Sequence, residues 1–223
     1  MTAASRLRVA DAAEESGDRD MAASMYAAAA HEAPNDTPTL IRCAEGLARN
    51  GKLEDAADLL GQRLKDAPRD TEILRTIGAI EVMAGQPSHA VLTLSTVLAL
   101  NPKDVKAMAD KAVALDVLRR HDEAQALYRQ ALTLEPSDPA ISNDLALSLL
   151  LSGQPEQARD VLAQFRGRQG LPERMSVNLG IMDAAGGHTE EAQMLLGSRI
   201  AATDLAALTQ ALGRESGAVT GRP

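Results

Sequence analysis

The chain has 223 residues, aromatics make up only 1% of it, and Trp is absent. Its apolar content is mostly Ala and Leu, which predicts helices, because sheets are filled by β-branched and aromatic side chains. A formal charge of -8 with no basic stripe argues against nucleic acid as a partner, and no apolar run reaches the roughly 18 residues that a membrane-crossing helix needs.

From the N-terminus, the first twenty residues carry five acidic side chains where a leader would need an apolar stretch. As written, the chain reads as untargeted and cytoplasmic. A period then organises everything that follows. Prolines stand at Pro34, Pro68, Pro102 and Pro136, 34 residues apart. Asp36, Asp70, Asp104 and Asp138 come two positions later, where an aspartate caps the first turn of a helix. Gly17, Gly51, Gly85, Gly153 and Gly187 recur in mid-unit, where a glycine ends one helix at positive φ, and Arg119 takes that place in the fourth unit. Five positions after each comes Ala22, Ala56, Ala90, Ala124, Ala158 or Ala192, and seven before each comes Ala10, Ala44, Gly78, Ala112, Ala146 or Gly180. Small residues fixed on both helices predict close antiparallel hairpins.

These positions resemble the tetratricopeptide-repeat signature. It has a small residue at 8, Gly at 15, Ala at 20, an aromatic or Leu at 24 and Pro at 32. Units starting at Ala3, Thr37, Thr71, Val105, Pro139 and Glu173 place Tyr26, Leu60, Leu94, Tyr128, Leu162 and Leu196 at position 24. The resemblance implies an all-α, right-handed superhelix of six helix-turn-helix repeats, taken here as one domain over 1–213. A capping helix is expected near 201–213 and a disordered tail over 214–223. Position 4, usually large, reads Arg6, Leu40, Leu74, Met108, Ser142 and Ser176, so the end units are expected to pack less tightly. Gly170 stands where the fifth unit's proline belongs, which predicts a looser junction.

In that family, positions 2, 5, 9, 12 and 13 of each first helix line the concave groove. Here they begin acidic, with Asp11, Glu14, Glu15 and Glu45 beside Arg49, and turn apolar from the third unit. The third unit offers Arg75, Ala79, Val82 and Met83, and the fourth Lys106, Ala109, Val113 and Val117. The fifth offers Asn143, Leu147, Leu150 and Leu151, and the sixth Val177 and Ile181, followed by Ala184 and Ala185. An apolar strip of this kind predicts a site for an apolar or amphipathic segment of another protein, with Arg75, Lys106 and Asn143 orienting it. The alternatives are that the chain's own C-terminal helix or a second copy fills the groove. The family's carboxylate clamp for chaperone tails is absent, since Asn143 and Asn178 stand among aliphatic groove positions.

No catalytic constellation, metal motif or phosphate loop is visible, so neither an enzyme nor a cofactor is expected. His31, His89, His121 and His188 fall at turns or helix ends, and Cys43 falls at an inward position that suits a buried thiol. The last two units, SNDLALSLLLSGQPEQARDVL and ERMSVNLGIMDAAGGHTEEAQMLL, resemble the TadD proteins of tight-adherence pilus assembly. That resemblance implies a secretin or another pilus component as partner, and a periplasmic or outer-membrane-associated setting. A cytoplasmic adaptor or the regulatory arm of a larger enzyme is the alternative.

Overall fold

The aspartate behind each inter-repeat proline starts a helix, as its side chain dictates. In a computed structural model that describes residues 1–168 and 172–196, Asp36 accepts from the Thr39 amide, Asp104 from Ala107 and Asp138 from Ile141. Asp70 accepts from both Glu72 and Ile73. Each bond satisfies a first-turn N–H that has no partner within its helix. The first helices begin at the six residues from which the 34-residue count runs. The expected capping helix and tail, and Gly170, lie outside the described residues.

Twelve α-helices and no strand occur among the described residues. The chain divides into two compact units, Met1–Leu118 and Arg119–Pro223. The first unit holds α1 (Ala3–Glu15), α2 (Arg19–Glu32), α3 (Thr37–Arg49), α4 (Leu53–Asp66), α5 (Thr71–Met83), α6 (Pro87–Leu100) and α7 (Val105–Val117). Each packs on the next, and α5 also lies against both α3 and α7, so the odd-numbered helices form one layer. The second unit holds α8 (His121–Leu134), α9 (Pro139–Leu151), α10 (Pro155–Ala163), α11 (Glu173–Ala185) and α12 (Thr189–Leu196). Its helices also pack in sequence, with α9 against α11.

The small residues earn their positions through contact. A Cβ added to Gly78 would lie 2.7 Å from Leu94 Cγ, and one added to Gly180 would lie 2.5 Å from Leu196 Cγ. Position 8 is therefore where the large side chain of position 24 enters the facing helix, and all six position-24 residues are buried. The turn glycines have φ between 71° and 82°, and Arg119 takes the same left-handed conformation at φ 60° without a glycine's freedom.

The end units differ from the middle ones. Arg6 turns to Glu32 at 3.1 Å, and Ser142 is fully buried with its hydroxyl unpartnered. The second helix of the fifth repeat is short: α10 has 9 residues where α2, α4, α6 and α8 have 14 each. Phe165 fills the space after it, buried, with the Arg168 guanidinium 5.0 Å from its ring centre.

Candidate functional site

The groove positions of the first two repeats are not a free acidic surface. Tyr26 is fully buried, and its hydroxyl lies 2.9 Å from Asp11 Oδ1 and 2.8 Å from Glu14 Oε2. With one hydrogen to give, it donates to one carboxylate at a time. Arg49 grips Glu14 with two bonds of 2.8 and 3.1 Å, and Arg42 pairs with Asp11 at 2.5 Å. Arg49's hydrogen bonds hold the Glu14 carboxyl below the usual carboxylate range, and burial with Glu14 beside it raises the Tyr26 hydroxyl well above its ordinary value. The expected acidity is thus largely neutralised by arginines from the second repeat. Glu15 stays exposed and Glu45 half-buried.

Next along the first unit, Glu45, Ala48 and Arg49 of α3 and Arg75, Thr76, Ala79, Ile80 and Met83 of α5 line a cavity of about 150 Å³. Arg75 does not hang free over it. Its Nη1 lies 3.4 Å from Asp110 Oδ2 on α7, and burial raises the Asp110 carboxyl while Arg75 opposes that shift. Ala109 and Val113 are half-buried on α7 and Lys106 is exposed. Met83 is 52% exposed and Val117 55%. Val82 differs from these, because it leans on the core around Leu94 and Val97.

In the second unit, Leu147 and Leu151 stand one helical turn apart on α9, 39% and 57% exposed, with Leu150 half-buried. Ile181 is half-buried, and Val177 packs on the cluster of Ala184, Ala192 and Leu196. Asn143 is buried, and Asn178 donates to its Oδ1 at 2.8 Å. Of the three residues expected to orient a ligand, Arg75 and Asn143 are therefore taken up in joining neighbouring first helices, while Lys106 is exposed. Ala184 and Ala185 are buried as well, so the apolar strip ends near Ile181.

The sequence reading missed the partners that close these pairs. Glu14 and Arg49, Arg75 and Asp110, and Asn143 and Asn178 are each 35 residues apart, one more than the repeat. A polar residue recurring at that offset is the signal that would have found them. It also missed Asp183 of α11, fully buried between Arg159 at 2.9 Å and Arg166. A cavity of about 750 Å³ in the first unit, with Ala27 and His31 of α2 and Asp55, Asp58 and Leu59 of α4 in its walls, was likewise not foreseen.

Chemically the described residues are quiet. No three His, Cys, Asp or Glu side chains among them converge as metal ligands. Cys43 is buried, and burial pushes its thiol up to about 11, so it stays protonated at neutral pH. No helix among the described residues is long and apolar enough to cross a membrane.

Comparison with known proteins agrees with the helix-pair geometry. Two family descriptions, both of the tetratricopeptide repeat, match residues 76–139 and 118–170. The chain is a tetratricopeptide-repeat protein. As such it shares its fold with TTC0263, a thermophilic repeat protein of Thermus thermophilus, at a TM-score of 0.69 and 20% identity over 81% of this chain and 98% of that one. It is also similar to PilW, described as a widely conserved type IV pilus biogenesis factor. There the TM-score is 0.71 and identity 18%, over 94% of this tetratricopeptide-repeat chain and 97% of PilW. In sequence it is 43% identical over 72 residues to y4yS, an uncharacterized protein of Sinorhizobium fredii (strain NBRC 101917 / NGR234). That match takes in 32% of this chain and spans 40% of the length of y4yS.

Proposed function

We propose that the first-helix faces hold an apolar or amphipathic segment of a partner protein, and that the partner is a component of a pilus assembly machine. Tetratricopeptide repeats mediate protein–protein interaction. The observation that carries the reading is the exposure of large apolar side chains on those faces: Met83 and Val117 in the first unit, Leu147 and Leu151 in the second. Fully burying such a side chain contributes about 1.5–3 kcal/mol, and because these four begin 39–57% exposed each anchor adds roughly half of that, so several must act together to offset the cost of association. The arginines beside the strip already hold carboxylates, so the expected ligand is apolar and its binding changes little with salt. The TadD-like wording of the last two units and the fold shared with PilW support the pilus setting.

The test replaces Leu147 and Leu151 with Asp in the native host. Pilus assembly and co-purification of a pilus component should both be lost, while the purified variant keeps its helical circular dichroism. Capture of the same component by the double variant would refute the groove. Normal piliation in a strain lacking the chain would refute the pilus setting alone.

A further inference from the structure

The outer side of α6 is a second unpartnered face, separate from the groove. The helices α2, α4, α8 and α10 all carry acidic and basic residues, whereas α6, PSHAVLTLSTVLAL, has no Asp, Glu, Lys or Arg. It packs on α5 and α7 through Ala90, Leu94 and Val97, which are fully buried. Turned away from them are His89, Leu92, Thr96 and Ala99, all exposed, with Leu92 at 67%. Spacings of three, four and three residues put these four on one stripe of the helix. The hydroxyls of Ser95 and Thr96 donate to the Val91 and Leu92 carbonyls of the same helix, so they are already satisfied. What α6 offers outward is a leucine and an imidazole among small side chains, with no carboxylate, ammonium or guanidinium.

We propose that this face joins two copies of the chain, α6 against α6, antiparallel across a two-fold axis. A two-fold contact sets residue i against j and j against i. An antiparallel alignment centred on Leu94 sets Leu92 of each copy on Thr96 of the other, and His89 on Ala99, so the leucine meets a smaller side chain at both places. The helix dipoles then oppose favourably. Charge selects the occupant. With a net charge of -8, most contacts between copies would bring carboxylates together, and α6 is the second helix on which they do not meet. A basic partner would find no carboxylate on α6, and an acidic one no cation. The contact is one 14-residue helix, about 21 Å long. Its area falls below the roughly 1,200 Å² of a stable complex, so the dimer is weak and concentration-dependent.

Sedimentation equilibrium of the full chain over a wide concentration range tests this. A monomer–dimer equilibrium is expected that tightens as salt rises, because salt screens the repulsion between copies. Leu92→Lys should raise the dissociation constant at least about tenfold, and Thr96→Lys should weaken the dimer in the same direction. Leu151→Asp, in the groove, should leave it unchanged. Since Leu92 is exposed, circular dichroism should show both lysine variants folded. A monomer at every concentration overturns the proposal, as does a dimer that survives Leu92→Lys or is lost with Leu151→Asp. A complex with a different protein that Leu92→Lys abolishes, in a chain that is otherwise monomeric, assigns the face to that protein and also overturns it.

Discussion

The two units join their neighbouring first helices with different chemistry. In the first, charged pairs run along the layer: Arg42 with Asp11, Arg49 with Glu14, and Arg75 with Asp110. In the second, a neutral amide pair, Asn143 and Asn178, does this work on α9 and α11, and the charge lies instead at a fully buried carboxylate, Asp183. Position 11 of the repeat, where Asp183 stands, holds the buried Leu47, Leu115 and Leu149 in other units. The short α10 explains the exchange. A helix five residues shorter than its counterparts leaves a gap that Arg166, beyond its end, reaches across, and a carboxylate rather than a leucine can meet it. Beside the truncated α10 an ion cluster takes the place that a buried leucine fills in the second, fourth and fifth repeats.

Breaking that cluster should have the largest effect. Asp183→Ala leaves Arg159 and Arg166 facing a hole of low polarity. Losing one partner of a buried pair costs about 3–5 kcal/mol, and the partial exposure of both arginines places the expected loss at the lower end, about 3 kcal/mol. Repeat arrays unfold in parts, so one melting temperature would blur the result. Hydrogen exchange should speed up in α10 and α11 and remain unchanged in α1–α5. A uniform increase over all helices would mean that the cluster does not act locally.

The first unit's network should yield to a single methyl group. A Cβ on Gly46 would lie 2.5 Å from the ring of Tyr26, whose hydroxyl is held by Asp11 and Glu14. Because the ring is fixed at its far end, it cannot move aside without releasing both carboxylates. Overpacking of this kind costs about 1–3 kcal/mol, and Gly46→Ala is expected near 2 kcal/mol. Gly61, in the interior of α4, has nothing within 4 Å of its added Cβ, so Gly61→Ala should stabilise by just under about 1 kcal/mol through helix propensity. Denaturant unfolding of the two variants side by side should move in opposite directions. Destabilisation by both would show that the Tyr26 contact is not the cause.

Much of this was legible in the sequence, because the repeat is a steric device written in single residues. The Asp caps, the turn glycines, and the small residues that admit Tyr or Leu are local requirements, and most units meet them with the same residues. The candidate site was less legible. Position alone placed Met83, Val117, Leu147 and Leu151 on the first-helix faces, and they are exposed. It could not separate them from Val82 and Val177, which lean on the core, or from Asn143, which is buried. Those outcomes depend on partners in the next unit, and the 34-residue period conceals a pairing that runs at 35. Gly46 escaped notice for the same reason: the ring it admits belongs to the repeat before it.

The smallest expected effect separates the units by pH. Arg49's hydrogen bonds hold the Glu14 carboxyl below its ordinary value of 4.5, so the folded first unit favours the ionised form more than the unfolded chain does. Its stabilisation is complete above the ordinary value and is lost as pH falls through the lowered one. Tyr26 runs the other way. Its hydroxyl is raised above the ordinary 10.0, so its contribution is complete below that value and declines as pH rises beyond it. In hydrogen exchange of α1–α3 followed across pH, after correction for intrinsic exchange, protection should fall at both ends. Glu14→Gln should remove most of the acid decline and, because the hydroxyl stays buried with Asp11 beside it, keep much of the alkaline one. An acid decline of undiminished size in Glu14→Gln would mean that Glu14 is not its source, and the charged network would then not be what distinguishes the first unit from the second.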